Sequence, residues 1–376
     1  MKITISVIKA DIGSIAGHVQ PSERLLATVA QRVENEGLKS GLIIDSFVSH
    51  TGDDIAILMT HGHGVGDEAV HKFAWDTFIE GTKVAKEQGL YGAGQDLLKD
   101  AFSGNVKGMG PAVAEMEFEE RPNEPFLFFA ADKTDPGAYN LPLYLAFADP
   151  MHNPGLLLSP SLFQGYRFTI MDVSNTEGDR IIELNAPEDL YDIASLLRDG
   201  ERFVIESIHS RSHGDQAAAV STTRLRNIAG KYTGKDDPVM LVRCQNVFPA
   251  TGEILSPYSI APIVPGSMRG SHQMPMMPVR HSSSISYFDG PPCVACHGFC
   301  VSEGRLTEAV DPFDHPYWDW VRDEVSRRAT EIRRQGFYGA AMLPYSDLEY
   351  GGIVKKMEEL DERFYVREDA HEPVAG

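Results

Sequence analysis

The chain has 376 residues, 42% apolar and 23% charged, the proportions of a folded globular protein and not of a disordered one. With 34 basic against 54 acidic residues the net charge is −20, which argues against nucleic acid or an anionic membrane as the main partner and leaves room for divalent cations held by carboxylates. No apolar run reaches the roughly 18 residues of a membrane helix, and the N-terminal MKITISVIKADIG is too short and too alternating for a signal peptide, so a cytoplasmic protein is expected.

In chain order, Ile3, Ile5 and Val7 alternate with Thr4 and Ser6, a strand that runs into Asp11. Pro21 opens a helix with Leu25, Leu26, Val29 and Val33 on one face, ended by Gly37. Residues 41–49 and 55–60 read as strands joined by the turn Thr51-Gly52-Asp53-Asp54, and Val70, Phe73, Ala74 and Phe78 mark a helix near 68–88. Gly94-Gln95-Asp96 and Ser103-Gly104-Asn105 read as loops. Residues 125–131 form an apolar strand ending at Asp132-Lys133. Further strands are predicted at 165–173, 179–185, 201–208 and 239–247, and helices at 187–199, 216–230, 316–335 and 354–364. Residues 256–292, rich in Pro, Gly, Ser and Met, read as long surface loops. With no linker signal, a single α/β domain over residues 1–370 is expected, with 371–376 a frayed tail.

Three apolar strands stop at acidic residues: Asp11, the pair Asp53-Asp54, and Asp132. A further pair, Asp236-Asp237, lies in GKYTGKDDP. Carboxylates at strand ends can converge from distant parts of a chain, and several anions stay together only with cations, Mg²⁺ or a similar hard ion. Several Mg²⁺ ions suit phosphate-ester hydrolysis. The same aspartates are also ordinary turn and cap residues, and sequence alone does not decide their convergence. Lys235, three residues after Tyr232, could form a Schiff base with Tyr232 as proton carrier. Neighbouring carboxylates oppose that role by keeping the amine charged, unless bound cations cancel them.

GKYTGKD is not a phosphate-binding P-loop, because three residues separate its glycines and Asp236 replaces the Ser or Thr. Cys293-Val-Ala-Cys296-His297 matches a haem-attachment pattern, with Cys300 beyond it, and supports an alternative reading as a haem- or metal-binding redox protein. The lack of an export signal and of a second cysteine pair weighs against it. His61-Gly62-His63 reads as a strand-end turn with ordinary histidines.

Taken together, ISVIKADIGSIAGH, HTGDD, GLYGAGQDLL, FSGNVKGMGP, ADKTDPGAYNLPLY, IAGKYTGKDDPVM, VPGSMRGSH, YFDGPP and DLEYGG resemble the bifunctional fructose-1,6-bisphosphate aldolase/phosphatases, also called class V fructose-1,6-bisphosphatases, of archaea and deep-branching bacteria. The resemblance implies a four-layer α-β-β-α sandwich, homo-octamers and a gluconeogenic role. It implies that Lys235 forms a Schiff base with dihydroxyacetone phosphate and that Tyr232 moves protons while glyceraldehyde 3-phosphate is added. Fructose 1,6-bisphosphate is then hydrolysed to fructose 6-phosphate and phosphate, with several Mg²⁺ ions at Asp11, His18, Asp53, Asp54, Gln95, Asp132, Asp236 and Asp237, and Asp11 activating water. Substrate contacts are implied at His18, Tyr91, Gly104, Asn105, Lys133, Gln245, Asn246, Arg269, Asp289 and Tyr350. A Mg²⁺-dependent sugar phosphatase without aldolase action is the nearer alternative. The resemblance assigns no role to Cys293, Cys296 and Cys300.

Overall fold

The period-two pattern of the first strand governs everything it touches. In the computed structural model Ile3, Ile5 and Val7 point to one side of their sheet and Ile8 and Ala10 to the other, each into a different apolar cluster. The structure describes residues 1–97, 110–175, 178–222, 235–266, 272–284, 290–335 and 352–367. Within them the first part of the chain forms β1 (Lys2–Ala10), α1 (Glu23–Arg32), β2 (Asp45–Thr51), β3 (Asp54–His61), α2 (Glu68–Glu87), β4 (Ala112–Glu119) and β5 (Glu124–Asp132). There follow α3 (Asn140–Phe147), α4 (Gly155–Leu158), β6 (Tyr166–Asp172), β7 (Arg180–Ala186), α5 (Leu190–Leu197), β8 (Phe203–Ser210), β9 (Gln216–Val220), β10 (Val239–Arg243) and α6 (Thr251–Leu255). The last part holds β11 (Ile263–Gly266), β12 (His272–Pro275), β13 (Met277–Val279), β14 (Cys293–Ser302), β15 (Arg305–Leu306), α7 (Tyr317–Arg334), α8 (Gly352–Asp361) and β16 (Tyr365–Val366).

One sheet runs β2-β3-β1-β4 and the larger one β13-β14-β5-β10-β9-β8-β6-β7-β16, with β15 paired to β14 and a separate β11-β12 hairpin. The mixture of helices and sheets bears out the α/β expectation. The sheets face each other: Ile5, Val7 and Leu58 of the small sheet meet Phe126, Phe128 and Leu241 of the large one. The small sheet's other face carries α1 and α2 through Leu25, Val29, Val70 and Phe78. Each helix starts at a side-chain cap, Ser22 accepting from Leu25 N–H and Asp67 from Val70 N–H. The large sheet's other face holds Phe129 and Phe168 against Leu143, Leu196, Val321 and Val325 from three helices.

The expected helix over 216–230 is corrected where the chain is described. Residues 216–220 form β9, hydrogen-bonded between β8 and β10. Ala217 and Ala218 join the outer core and Ala219 the inner one, so sheet pairing and burial override the helix propensity of alanine. The stretch 256–292 is not all loop, since it contributes β11, β12 and β13. Among the described residues β4, β14 and the two-residue β15 and β16 also escape the sequence pattern. β14 is buried on both faces, which erases the alternation that would reveal it.

Candidate active site

Pairing register brings the acidic strand ends together. β1 and β3 are antiparallel with Ala10 opposite Ile55, so Asp11 lies beside the β2–β3 turn that carries Asp53 and Asp54. In the other sheet β5 is antiparallel to β10, with Ala130 opposite Val239, and Asp132 therefore neighbours Asp236 and Asp237. Facing of the two sheets brings these ends into one cleft. Gly52 makes the approach possible: its φ is +55°, and a Cβ there would lie 1.6 Å from Asp132 Oδ2. Its N–H donates to the Ser283 carbonyl at 3.0 Å.

Two groups of ligand atoms result, Asp11 with His18 and Asp53, and Asp54 with Asp132 and Asp237, the atoms of each group lying within 4.8 Å of one another. The Asp53 carboxylate takes a hydrogen bond from Lys133 Nζ at 2.6 Å and lies 2.9 Å from His18 Nδ1. Lys133 Nζ also donates to Asp132 Oδ1 at 3.0 Å, while Asp132 Oδ2 is buried with no hydrogen-bond partner among the described residues. Such a carboxylate oxygen among further carboxylates and one imidazole is the donor chemistry of a divalent cation, so these residues fit one. Lys235 Nζ donates to Asp236 Oδ1 at 2.8 Å and to Asp96 Oδ1 at 3.2 Å. The other Asp96 oxygen accepts the Asp11 N–H at 2.9 Å, and Asp237 Oδ1 accepts the Thr134 N–H at 2.7 Å.

Crowding and burial set the charges. Burial, with Asp53 and Asp96 nearby, pushes Asp11 well above the usual carboxylate range, and burial with Asp236 does the same to Asp237. Burial likewise raises Asp132 to about 6, with Lys133 opposing. Burial works the other way from the outcome at Asp53, which Lys133 and His18 hold low. Burial would lower Lys235, yet Asp236, Asp96 and Asp237 outweigh it and keep the ammonium charged.

Of the remaining sequence-derived positions, Tyr91 sets its ring edge-on to His18 with centroids 4.9 Å apart, and its backbone pairs with Ser14. Gln95 immediately precedes Asp96 in a single 3₁₀ turn, Gln95–Leu97. Gln245 and Asn246 follow β10 at its far end: Arg243 stands opposite Phe126, six residues along β5 from Asp132, or about 20 Å, so within one chain they are apart from the acidic cluster. Gly104, Asn105, Tyr232, Arg269, Asp289 and Tyr350 lie outside the described residues, as does the tail 371–376. Two residues at the site were missed by the sequence reading, Asp96, taken as part of a loop, and Lys9. Lys9 had a signal, because the alternation of Ile3, Ile5 and Val7 extends to it and puts it on the buried face.

The haem alternative does not survive. Cys293, Cys296 and His297 lie buried within β14, and a spacing of three along a strand directs the two cysteines to opposite faces. Cys296 sits in the outer core, Cys293 in a cluster with Val279 and Ala295, and burial pushes both thiols well up. His61 and His63 form no joint ligand pair: His61 Nε2 lies 2.8 Å from Ser6 Oγ, and His63 Nε2 lies 3.0 Å from the Leu42 carbonyl.

Comparison with known proteins gives this site its context. The family model described as fructose-1,6-bisphosphatase matches residues 2–365. The chain belongs to that family. Among relatives of this fructose-1,6-bisphosphatase family, one from Thermus thermophilus is 59% identical over 97% of this chain and 100% of its own. Another from Ignicoccus hospitalis is 50% identical over 96% of this chain and 93% of its own. A third, from Moorella thermoacetica, is 48% identical over 100% of this chain and 98% of its own. All three are named fructose-1,6-bisphosphate aldolase/phosphatase.

Proposed function

We infer that this chain is a gluconeogenic enzyme with two activities, joining dihydroxyacetone phosphate to glyceraldehyde 3-phosphate and hydrolysing the resulting fructose 1,6-bisphosphate to fructose 6-phosphate and phosphate. The observation that carries the reading is the meeting, in one cleft of a member of this family, of two carboxylate groups and a buried lysine, Lys235. When bound, divalent cations supply charge neutralisation for the carboxylates and polarise the phosphate ester and the attacking water. Asp11, held by burial with a raised proton affinity, is the base for that water. Lys133, between Asp53 and Asp132, is placed to meet a phosphate oxygen.

In the aldolase step the Lys235 amine adds to the ketone carbon of dihydroxyacetone phosphate and water leaves, giving an imine, with Tyr232 moving the protons. In the described conformation Asp96 and Asp236 hold that amine as a cation, so it becomes a nucleophile only after leaving them. His18, Tyr91, Gly104, Asn105, Gln245, Asn246, Arg269, Asp289 and Tyr350 complete substrate binding in this reading. Gln245 and Asn246 enter it only through rearrangement or another copy of the chain. The reading includes a single domain, a homo-octamer and a cytoplasmic location. Two facing sheets with helices on both outer faces support its four-layer order, and among the described residues no helix is long and apolar enough to cross a membrane.

The test is phosphate release from purified protein given only dihydroxyacetone phosphate, glyceraldehyde 3-phosphate and Mg²⁺. Release together with fructose 6-phosphate is expected. Silence with the trioses but turnover of supplied fructose 1,6-bisphosphate would leave a phosphatase alone, and turnover that survives exhaustive chelation would remove the metal assignment.

A further inference from the structure

Lys9 takes no part in the reactions just described, yet it is built into their site. It lies on β1, the strand flanked on both sides by β3 and β4, with Ala56 and Ala112 as its lateral neighbours. Those small side chains leave room for its stem between the sheets. The residue is 1% exposed, so its ammonium has no water to turn to. The partner it finds is Asp54 Oδ2. Asp54 is one of the three carboxylates of the second ligand group, with Asp132 and Asp237. Lys133 and Lys235, by contrast, sit at a strand end and in the residues leading into β10. A cation carried on a central strand is held in place by backbone pairing on both sides.

We propose that Lys9 is a built-in counter-ion that shares Asp54 with the divalent cation of the second ligand group, and so weakens and tunes uptake of that cation while leaving the Asp11–His18–Asp53 group to its own affinity. The proposal rests on the metal-binding reading of the site. Its physical basis is direct. In the metal-free chain the ammonium neutralises one of three crowded carboxylates, which keeps the cleft from repelling itself apart. When a divalent ion enters, the same ammonium is a like charge close to it and holds one of its ligand oxygens. Lys9 therefore stabilises the empty cleft and opposes the filled one.

Lys9→Met removes the charge and keeps the stem. The probe is Mn²⁺ added to chelator-stripped protein, with free Mn²⁺ read by its electron paramagnetic resonance signal. The expected result is that one class of Mn²⁺ sites tightens by about tenfold or more in the variant while the other is unchanged. In parallel, the thermal midpoint of Lys9→Met should fall below wild type in chelator, and the gap should close in saturating Mg²⁺. Equal or weaker Mn²⁺ binding by Lys9→Met, beside a wild type that binds normally, overturns the proposal and leaves the metal reading standing. A wild type that takes up no Mn²⁺ removes both. If Lys9→Met folds only when Mn²⁺ is supplied, the proposal is supported. If it fails to fold even then, while Lys9→Arg folds, Lys9 is a structural ion pair and the proposal is wrong.

Discussion

Gly52→Ala isolates the apposition of the two sheets on which the site depends. The new methyl carbon would fall 1.6 Å from Asp132 Oδ2 and 2.5 Å from its Cγ. Asp132 is fully buried and pinned by Lys133, so its carboxylate cannot rotate into open space. The β2–β3 turn or the end of β5 has to move by more than about 1 Å before the contact is tolerable. A displacement of that size between positioned groups costs about 100-fold in rate. The backbone penalty is smaller: alanine at φ +55° costs about 1–2 kcal/mol, which a chain of this size survives. Phosphate release from fructose 1,6-bisphosphate in Mg²⁺ should therefore fall by about two orders of magnitude or more. Far-ultraviolet circular dichroism should stay that of a folded chain, with a thermal midpoint only a few degrees lower. A variant within threefold of wild type, with the same Mg²⁺ requirement, would show that Asp53, Asp54 and Asp132 need not meet, and the argument from strand ends would fail.

Other perturbations test separate parts of the molecule. Lys235→Arg should abolish carbon–carbon bond formation and borohydride trapping of dihydroxyacetone phosphate while leaving phosphate hydrolysis within about tenfold, since a guanidinium keeps the charge facing Asp96 and Asp236 but forms no Schiff base. Retained condensation would remove the lysine from the mechanism. Glu124→Ala should lower unfolding free energy by about 3–5 kcal/mol in urea titrations, because Glu124 is fully buried and holds Arg243 through two hydrogen bonds of 3.1 and 3.0 Å. A loss below about 1 kcal/mol would mean that the Arg243 charge finds water. Burial lowers His61 to about 4 and His297 to about 3, from an ordinary 6.5. The unfolded chain then binds protons that the folded chain refuses, so stability is complete above the unfolded value and falls as pH drops from about 6.5 toward 4, by about 2–3 kcal/mol per histidine at pH 4.5. His297→Gln should flatten part of that slope, and a slope unchanged by it would place the acid sensitivity elsewhere.

Much of the site was legible because strands and turns leave local marks. Period-two alternation ending in an aspartate located Asp11, and a Thr-Gly-Asp-Asp turn between apolar runs located Asp53 and Asp54. Asp132 followed from an apolar run that ends in it, Asp236-Asp237 stood out only as an acidic pair in a glycine-rich stretch, and the family motifs named them all together. Strands β1, β2, β3, β5, β6, β7, β8 and β10 were readable as apolar runs bounded by turn residues, and the helices α1, α2 and α7 because each presents one apolar face to one core. Where a segment is buried on both sides, as β14 is, or owes its form to its neighbours, as Ala217–Ala219 between β8 and β10 do, local pattern says little or misleads.

The residue types and their places along the chain were thus determined by the sequence itself: an acidic, α/β protein of this family with carboxylates at its strand ends. Which carboxylates come close enough to share an ion, and which lysine faces which acid, were decided only by the packing of one sheet on the other. Asp96 reaches Lys235 across 139 positions of sequence, Lys9 reaches Asp54 across 45, and Lys133 reaches Asp53 across 80. No local propensity encodes such distances. They arise because burying two apolar sheet faces against each other leaves the charged strand ends no other place to go, and there each buried charge must find its opposite.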